Sequence, residues 1–390
     1  MRVGERLYLD HNATTPVDPA VVAAMAPFDQ DLFANPASVE HWDGHAAAEA
    51  VERAREQVAA VVGARPAEIV FTASCTEANN LAILGAARAA TGPGHLVTTQ
   101  IEHPSVLEPF RMLEQEGWRV TCVAVGEDGR VDPDAIGRAI TPDTLLVSVM
   151  AANNEVGVVQ PIAEIGAICA NRGVMFHSDL AQVLAYEAVD VGHWGLHMAS
   201  LSAHKAYGPK GIGALYVRSR RPRARLAPIL FGGGQERGLR PGTLNTPAIV
   251  GFGAAAVLAQ DRATTEAARL RRLSEALCAK VLAEIPGAVL NGHPTARLAN
   301  ALSFSIAGIE PLALIHRLRG EMSFSASSAC STEKIETSHV LKAMFGESPR
   351  AKGAFRIAAG RFTTQADVER AGDLLVAEAN RLLRRAAPAA

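Results

Sequence analysis

Six polar residues of this 390-residue chain share one kind of place. His103, Asn154, Asp179, Gln182, His204 and Lys205 each follow a short apolar run, and in open α/β sheets ligands collect where loops leave the carboxyl ends of strands. A histidine there can move protons, an amide can donate and accept, a carboxylate can face a cationic ring nitrogen, and a partly desolvated lysine can bond covalently to a carbonyl. Upstream, Thr72-Ala73-Ser74-Cys75-Thr76-Glu77 opens a helix with small hydroxyl residues. Exposed N–H groups and a positive dipole make such a helix start an anion site, although a plain Ser/Thr cap would read the same.

The elements that must position these residues are written as alternating periods. Apolar, β-rich runs fall at 69–71, 96–99, 120–123, 145–149, 174–177, 198–201 and 214–217, with helical periods at 77–90, 105–116 and 162–171 between them. That alternation predicts an α/β fold whose central sheet is mostly parallel, with helices on both faces. After residue 251 a long Ala/Arg/Glu/Leu helix runs to about 283, a strand follows at 301–306, and a final helix spans 365–385, so a smaller α+β domain is expected. We place the large domain at 14–255 and the small one at 1–13 together with 256–390. The last residues, Ala-Ala-Pro-Ala-Ala, are expected to fray.

Composition narrows the partners. A formal net charge of -2 supplies no field for nucleic acid or an anionic membrane, and no segment has the roughly 18 consecutive apolar residues of a membrane span. A cytoplasmic enzyme with a small ligand is the expectation. Five cysteines without a C-x-x-C pair argue against a disulfide framework or zinc ribbon. His41/His45 and His193/His197 have i,i+4 spacing, but neither is an H-E-x-x-H, and no metal site is expected.

The clustered groups after the strands are those that pyridoxal phosphate needs. The motifs that carry them, with Tyr8-Leu9-Asp10-His11-Asn12-Ala13-Thr14-Thr15-Pro16, Asn153-Asn154-Glu155-Val156-Gly157, Ser202-Ala203-His204-Lys205, Gly232-Gly233-Gly234 through Gly242-Thr243, and Ser328-Ala329-Cys330, run nearly end to end. In them the chain resembles the fold-type I pyridoxal phosphate enzymes of the class V aminotransferase superfamily, specifically group I cysteine desulfurases of the NifS and IscS type. The resemblance makes Lys205 the Schiff-base lysine, with Lys210 as its rival. Asp179 is then the partner of the pyridine nitrogen, Gln182 the donor to the phenolic oxygen, and His103 a ring-stacking group that can move protons. It assigns Asn154, with Asn153 as the alternative, to the ring oxygen and the substrate carboxylate. Cys75, Thr76, Ser202 and His204 take the phosphate. Thr243 reaches the phosphate of the other subunit, which implies a homodimer.

Cys330 decides the reaction expected within that superfamily. Its setting, Ser327-Ser328-Ala329-Cys330-Ser331-Thr332, is small and polar, suited to a mobile loop. A thiolate there can take sulfur from L-cysteine, leave an enzyme persulfide, release alanine and pass the sulfur to an acceptor protein for iron–sulfur cluster assembly or another thiolation pathway. Arg356 is implied to grip the substrate carboxylate in a bidentate fork, with Arg361 nearby as a structural alternative. Alternatives are an aminotransferase, a cysteine or selenocysteine lyase, or a non-catalytic relative. The chain departs from the family at Ser74 and Cys75, where small residues are usual, at Leu180, usually Ala, and at Ser327, often Gly. Arg218 to Arg225 reads as a solvated basic edge.

Overall fold

The computed structural model describes residues 2–326 and 337–386. Seven strands form the central sheet in the spatial order Ile69–Thr72, Gly213–Val217, Met198–Ser202, Met175–Asp179, Thr144–Ser148, His95–Thr99 and Arg119–Val123. All neighbours are parallel except Gly213–Val217, which runs antiparallel to both strands beside it.

Side-chain alternation splits the core into two layers, one per face. Phe71, Val97, Val147, Phe176, Ala199 and Tyr216 belong to a cluster that includes Val51 and Val58 of the helix Trp42–Val61 and Ile165 of Ile162–Arg172. Their immediate neighbours Val70, Leu96, Leu146, Met198 and Leu215 point the other way, against Leu81 of Cys75–Ala89 and Phe110 of Pro104–Gln115. Helices therefore cover both faces, and the strands read as near-continuous apolar runs for that reason.

Two strands run further than their apolar runs suggest. Asp179 is the last residue of its strand, paired with Ser200, and Ser202 ends the next, paired with Gly213. Polar side chains placed in loops by composition thus sit on the rigid ends of the sheet. Lys205 closes a single 3₁₀ turn, Ala203–Lys205, directly after it.

The helix Thr246–Glu284 passes residue 255 without a break, with Asn245 accepting the Ala248 N–H at its start. Beyond it, Ala288–Leu290, Ala301–Ile306, Ala354–Ala358 and Ser325–Ala326 form an antiparallel sheet in that order. The N-terminal strand Arg6–Tyr8 pairs in parallel with Met322–Ser323, and Asp10 bridges to Ala358, so the first residues are tied to this second region. Among the described residues no helix is long and apolar enough to cross a membrane.

Candidate active site

A cavity of about 440 Å³ opens at the carboxyl ends of the parallel strands. Its walls include Cys75, Thr76, His103, Asn154 and Asp179, and also Gln182, Ser202, His204, Lys205 and Arg356. Of the residues first assigned a catalytic or binding role from sequence, alternatives aside, two are not among them. Thr243 is exposed on the stretch before the long helix and, as a residue expected to act across a subunit boundary, has no part in this chain's own cavity. Cys330 lies outside the described residues, as does Ser327.

The lysine end of the cavity is organised around one carbonyl. The Lys205 ammonium donates to the main-chain oxygen of Asn12, and the Gln182 amide donates to the same oxygen at 3.0 Å. Asn12 is held in turn: its side-chain oxygen accepts from Asn300 at 3.1 Å and its amide donates to the Asn154 carbonyl at 3.3 Å. Lys210 is exposed on the following turn and does not line the cavity.

Asp179 is 5% exposed and receives donors on both oxygens. Oδ1 accepts from the Ala181 N–H at 2.9 Å and lies 3.5 Å from the Cys75 thiol, and Oδ2 accepts from the Asn79 amide at 2.7 Å. Burial, reinforced by Asp179, pushes the Cys75 thiol well above its ordinary range, so it is a neutral donor here. The Asn79 amide also donates to the Ser105 hydroxyl at 2.8 Å, and that hydroxyl is 2.7 Å from Nδ1 of His103. His103 caps the helix Pro104–Gln115, its Nδ1 accepting the Ser105 N–H at 3.1 Å. Burial lowers the His103 pKa, with Asp179 opposing and Lys205 and His339 assisting.

Opposite lies a surface made for an anion. The helix Cys75–Ala89 begins at the cavity wall, and Ser74 caps it by accepting the Glu77 N–H at 3.1 Å. The N–H groups of its first turn have no partner within the helix. Gly213 permits this placement, because a Cβ there would stand 2.6 Å from the Ser74 carbonyl carbon and 2.8 Å from the Cys75 nitrogen. The Ser202 hydroxyl is buried without a hydrogen-bond partner among the described residues. His204, with Nδ1 3.1 Å from the Thr14 hydroxyl, is pushed down to about 4 by burial and by Lys205 and Lys210, and is neutral at pH 7. Surplus donors beside a lysine fit a phosphorylated carbonyl compound such as pyridoxal phosphate.

Arg356 is 3% exposed, on the strand Ala354–Ala358. Its Nε and Nη2 both donate to Asp10 Oδ1 at 3.2 Å, and Nη1 donates to the Asn154 carbonyl at 3.2 Å. Asp10 Oδ2 accepts from the Ser325 hydroxyl at 2.6 Å. Arg361 belongs elsewhere: it pairs with Asp18 and Glu266 at 2.8 and 2.9 Å and stacks 4.0 Å over Tyr207. Asn153 is likewise spent, bonding the Ile101 carbonyl and the N–H groups of Glu155 and Val156.

Asp10, Asn12, Asn79, Ser105 and Ser325 were given no role by sequence reading. Asn79 sits four residues after Cys75, on the same helix face, which was the available signal. Ser325 carried none. Leu180 is fully buried in the core and is not among the cavity-lining residues. Among the described residues no group of three or more His, Cys, Asp or Glu is placed to hold a metal ion.

Residues 7–371 match the family model of aminotransferase class-V. A curated relative from Rattus norvegicus, named cysteine desulfurase, is 45% identical over 364 residues, which is 93% of this chain and 80% of the relative. A solved structure described as a NifS-like protein superimposes with a TM-score of 0.89 at 34% identity, covering 97% of this chain and 99% of the other. Another, described as SspA in complex with cysteine, has a TM-score of 0.80 at 35% identity over 92% of this chain and 100% of that one.

Proposed function

We propose, for a chain that belongs to the class-V aminotransferase family and is a cysteine desulfurase, that its cavity of about 440 Å³ binds pyridoxal 5′-phosphate and takes the sulfur of L-cysteine. The observation that carries this reading is the meeting of Lys205, Asp179 and Gln182 with an anion cradle whose Ser202 hydroxyl is buried and unpartnered among the described residues. Bound through Lys205, the cofactor supplies an electron sink for the substrate's α-carbon.

The chain's own residues do the rest. Cys75, Thr76, Ser202 and His204 hold the phosphate, and Thr243 is assigned to that of a partner subunit, which makes the working unit a homodimer. Asp179, already receiving N–H donors on both oxygens, stays an acceptor for the pyridine nitrogen. Gln182 keeps one amide N–H beyond the one given to Asn12, for the ring oxygen. His103 moves a proton at the ring nitrogen that Ser105 does not engage. Arg356 and the Asn154 side chain orient the substrate carboxylate.

Cys330 is the nucleophile in this reading. Its thiolate bonds to the substrate sulfur as the carbon–sulfur bond breaks, which leaves a persulfide on Cys330; the carbon retains the electron pair and takes a proton, giving alanine. An acceptor protein then removes the outer sulfur, in iron–sulfur cluster assembly or another thiolation pathway. The test is to supply L-cysteine and a reductant and measure alanine and sulfide. The wild type should be yellow and release both, while Cys330→Ser keeps the colour and loses sulfide. Undiminished sulfide release by that variant overturns the role given to Cys330.

A further inference from the structure

Four side chains, from the pyridine-facing carboxylate through Asn79 and Ser105 to the proton-moving histidine, form one hydrogen-bonded chain, and every proton in it has only one place to be. Asp179 Oδ2 faces the Asn79 side chain at 2.7 Å, so the group presented to that carboxylate is the amide nitrogen. The same nitrogen is 2.8 Å from the Ser105 oxygen and donates to it. The Ser105 main-chain N–H, which can only donate, points at His103 Nδ1 from 3.1 Å. Nδ1 is therefore the acceptor and bears no proton, and the Ser105 hydroxyl, 2.7 Å away, spends its proton on the same nitrogen.

We propose that Asn79 and Ser105 are positioning residues that hold His103 as the Nε2–H tautomer, so that at rest the ring nitrogen that Ser105 does not engage offers an N–H and no lone pair. Protonating Nδ1 would set two N–H groups face to face at the start of the helix Pro104–Gln115 and free the Ser105 proton of its acceptor. The helix cap and the tautomer are thus one device. It comes at a cost visible in the structure: Asn79 Oδ1 is buried with no partner among the described residues. An asparagine tolerates that only because both protons of its nitrogen are used.

The charged and titratable groups around His103 are Asp179 at the end of its strand, Lys205 after the next, and His339 at the start of the helix His339–Phe345. The neighbouring Glu102 turns its carboxyl away, onto Thr99 and the Met150 N–H. Burial, with Lys205 assisting, favours the neutral ring, in the same direction as the cap.

Only the consequence for the reaction rests on the desulfurase reading. The tautomer does not, and it is measurable without turnover. Histidine-selective ¹⁵N labelling of the purified protein, with His103 identified by comparison with His103→Gln, reports each ring nitrogen directly. The wild type should show an unprotonated Nδ1 and a protonated Nε2 through neutral pH. Ser105→Ala removes one of the two donors to Nδ1 and should raise the His103 pKa by about 0.5 to 1 unit, while Ser105→Thr restores the wild-type titration. A proton on Nδ1 in the wild type overturns the proposal, as does an unchanged titration in Ser105→Ala. If Ser105→Ala fails to fold, the wild-type and Ser105→Thr spectra still decide it. Absent alanine release with the expected tautomer would count against the desulfurase reading alone.

Discussion

Two buried arginine–carboxylate pairs of this chain are built differently. Arg55, 4% exposed, meets Glu236 through two parallel bonds of 2.7 and 2.8 Å, gives a third to the Ile69 carbonyl, and turns Nε to Glu52 at 3.1 Å. Glu236 also accepts the Phe71 N–H at 2.7 Å. Arg356 meets Asp10 through a single oxygen at 3.2 Å and gives one further bond to Asn154. Three of its five N–H groups are then engaged, and one on each terminal nitrogen has no partner among the described residues. Four of the five N–H groups of Arg55 are engaged, and a pair so nearly closed holds elements together. One left open toward a cavity keeps a fork for a ligand.

The largest expected effect comes from emptying the open pair. Arg356→Lys keeps the charge and loses the fork, and should cut kcat/KM for L-cysteine by about 10³-fold, roughly 4 kcal/mol, mostly through KM. Melting should be little changed, because the pair contributes few bonds to the fold. Equal KM values in variant and wild type would erase the distinction between the two arginines.

The closed pair should fail in the opposite sense. Arg55→Met leaves the buried Glu236 without the cation that hydrogen-bonds both of its oxygens, a change of about 3 kcal/mol or more in stability. The measurement is a denaturant midpoint alongside KM, with the midpoint expected to fall and KM to hold in whatever fraction remains folded.

Neither pair was legible in the sequence. Arg55 and Glu236 are 181 residues apart, and Asp10 and Arg356 are 346 apart. What sequence carried well was the sheet, because a strand buried on both faces must be written as an apolar run, and the strand 301–306 agrees residue for residue with Ala301–Ile306. It also carried the residues at strand ends, since polar side chains after apolar runs have few other reasons to be there. Two-residue strands such as Met322–Ser323 left no periodicity to read. Asn79 and Ser105 were hidden for a different reason: their meaning lies in a contact between two helices, where neither residue type is unusual alone.

Glu102 is a third buried carboxyl, and it has no arginine. Oε1 accepts from Thr99 at 2.7 Å and from the Met150 N–H at 3.0 Å, while Oε2 is buried without a partner among the described residues. Burial pushes its pKa up to about 8. The folded protein therefore keeps a proton that the unfolded chain releases near the ordinary glutamate value. Its stabilising contribution is complete at acid pH and is lost as pH rises toward and through about 8. Glu102→Gln stays neutral throughout, so the variant should gain on the wild type by about 2 kcal/mol between pH 5 and pH 7 in chemical unfolding. Parallel stability curves would mean that Glu102 is ionised in the fold.

The smallest effect, and the most discriminating, is expected at Asp10. Asp10→Asn preserves the shape and the acceptor for Arg356, and removes only the charge that partly neutralises it. If Asp10 exists to tune the open fork, the substrate carboxylate should bind more tightly without it. A like charge several ångströms away is worth about 1 kcal/mol at a partly buried site, or roughly fivefold in KM. That gain is uniform: alanine carries the same carboxylate, so inhibition by alanine should strengthen by the same factor and kcat should not rise. If Asp10 instead serves to aim the guanidinium, as Glu236 aims Arg55, KM rises and alanine inhibition weakens. The sign of the KM change alone separates a tuned binding group from a second structural pair.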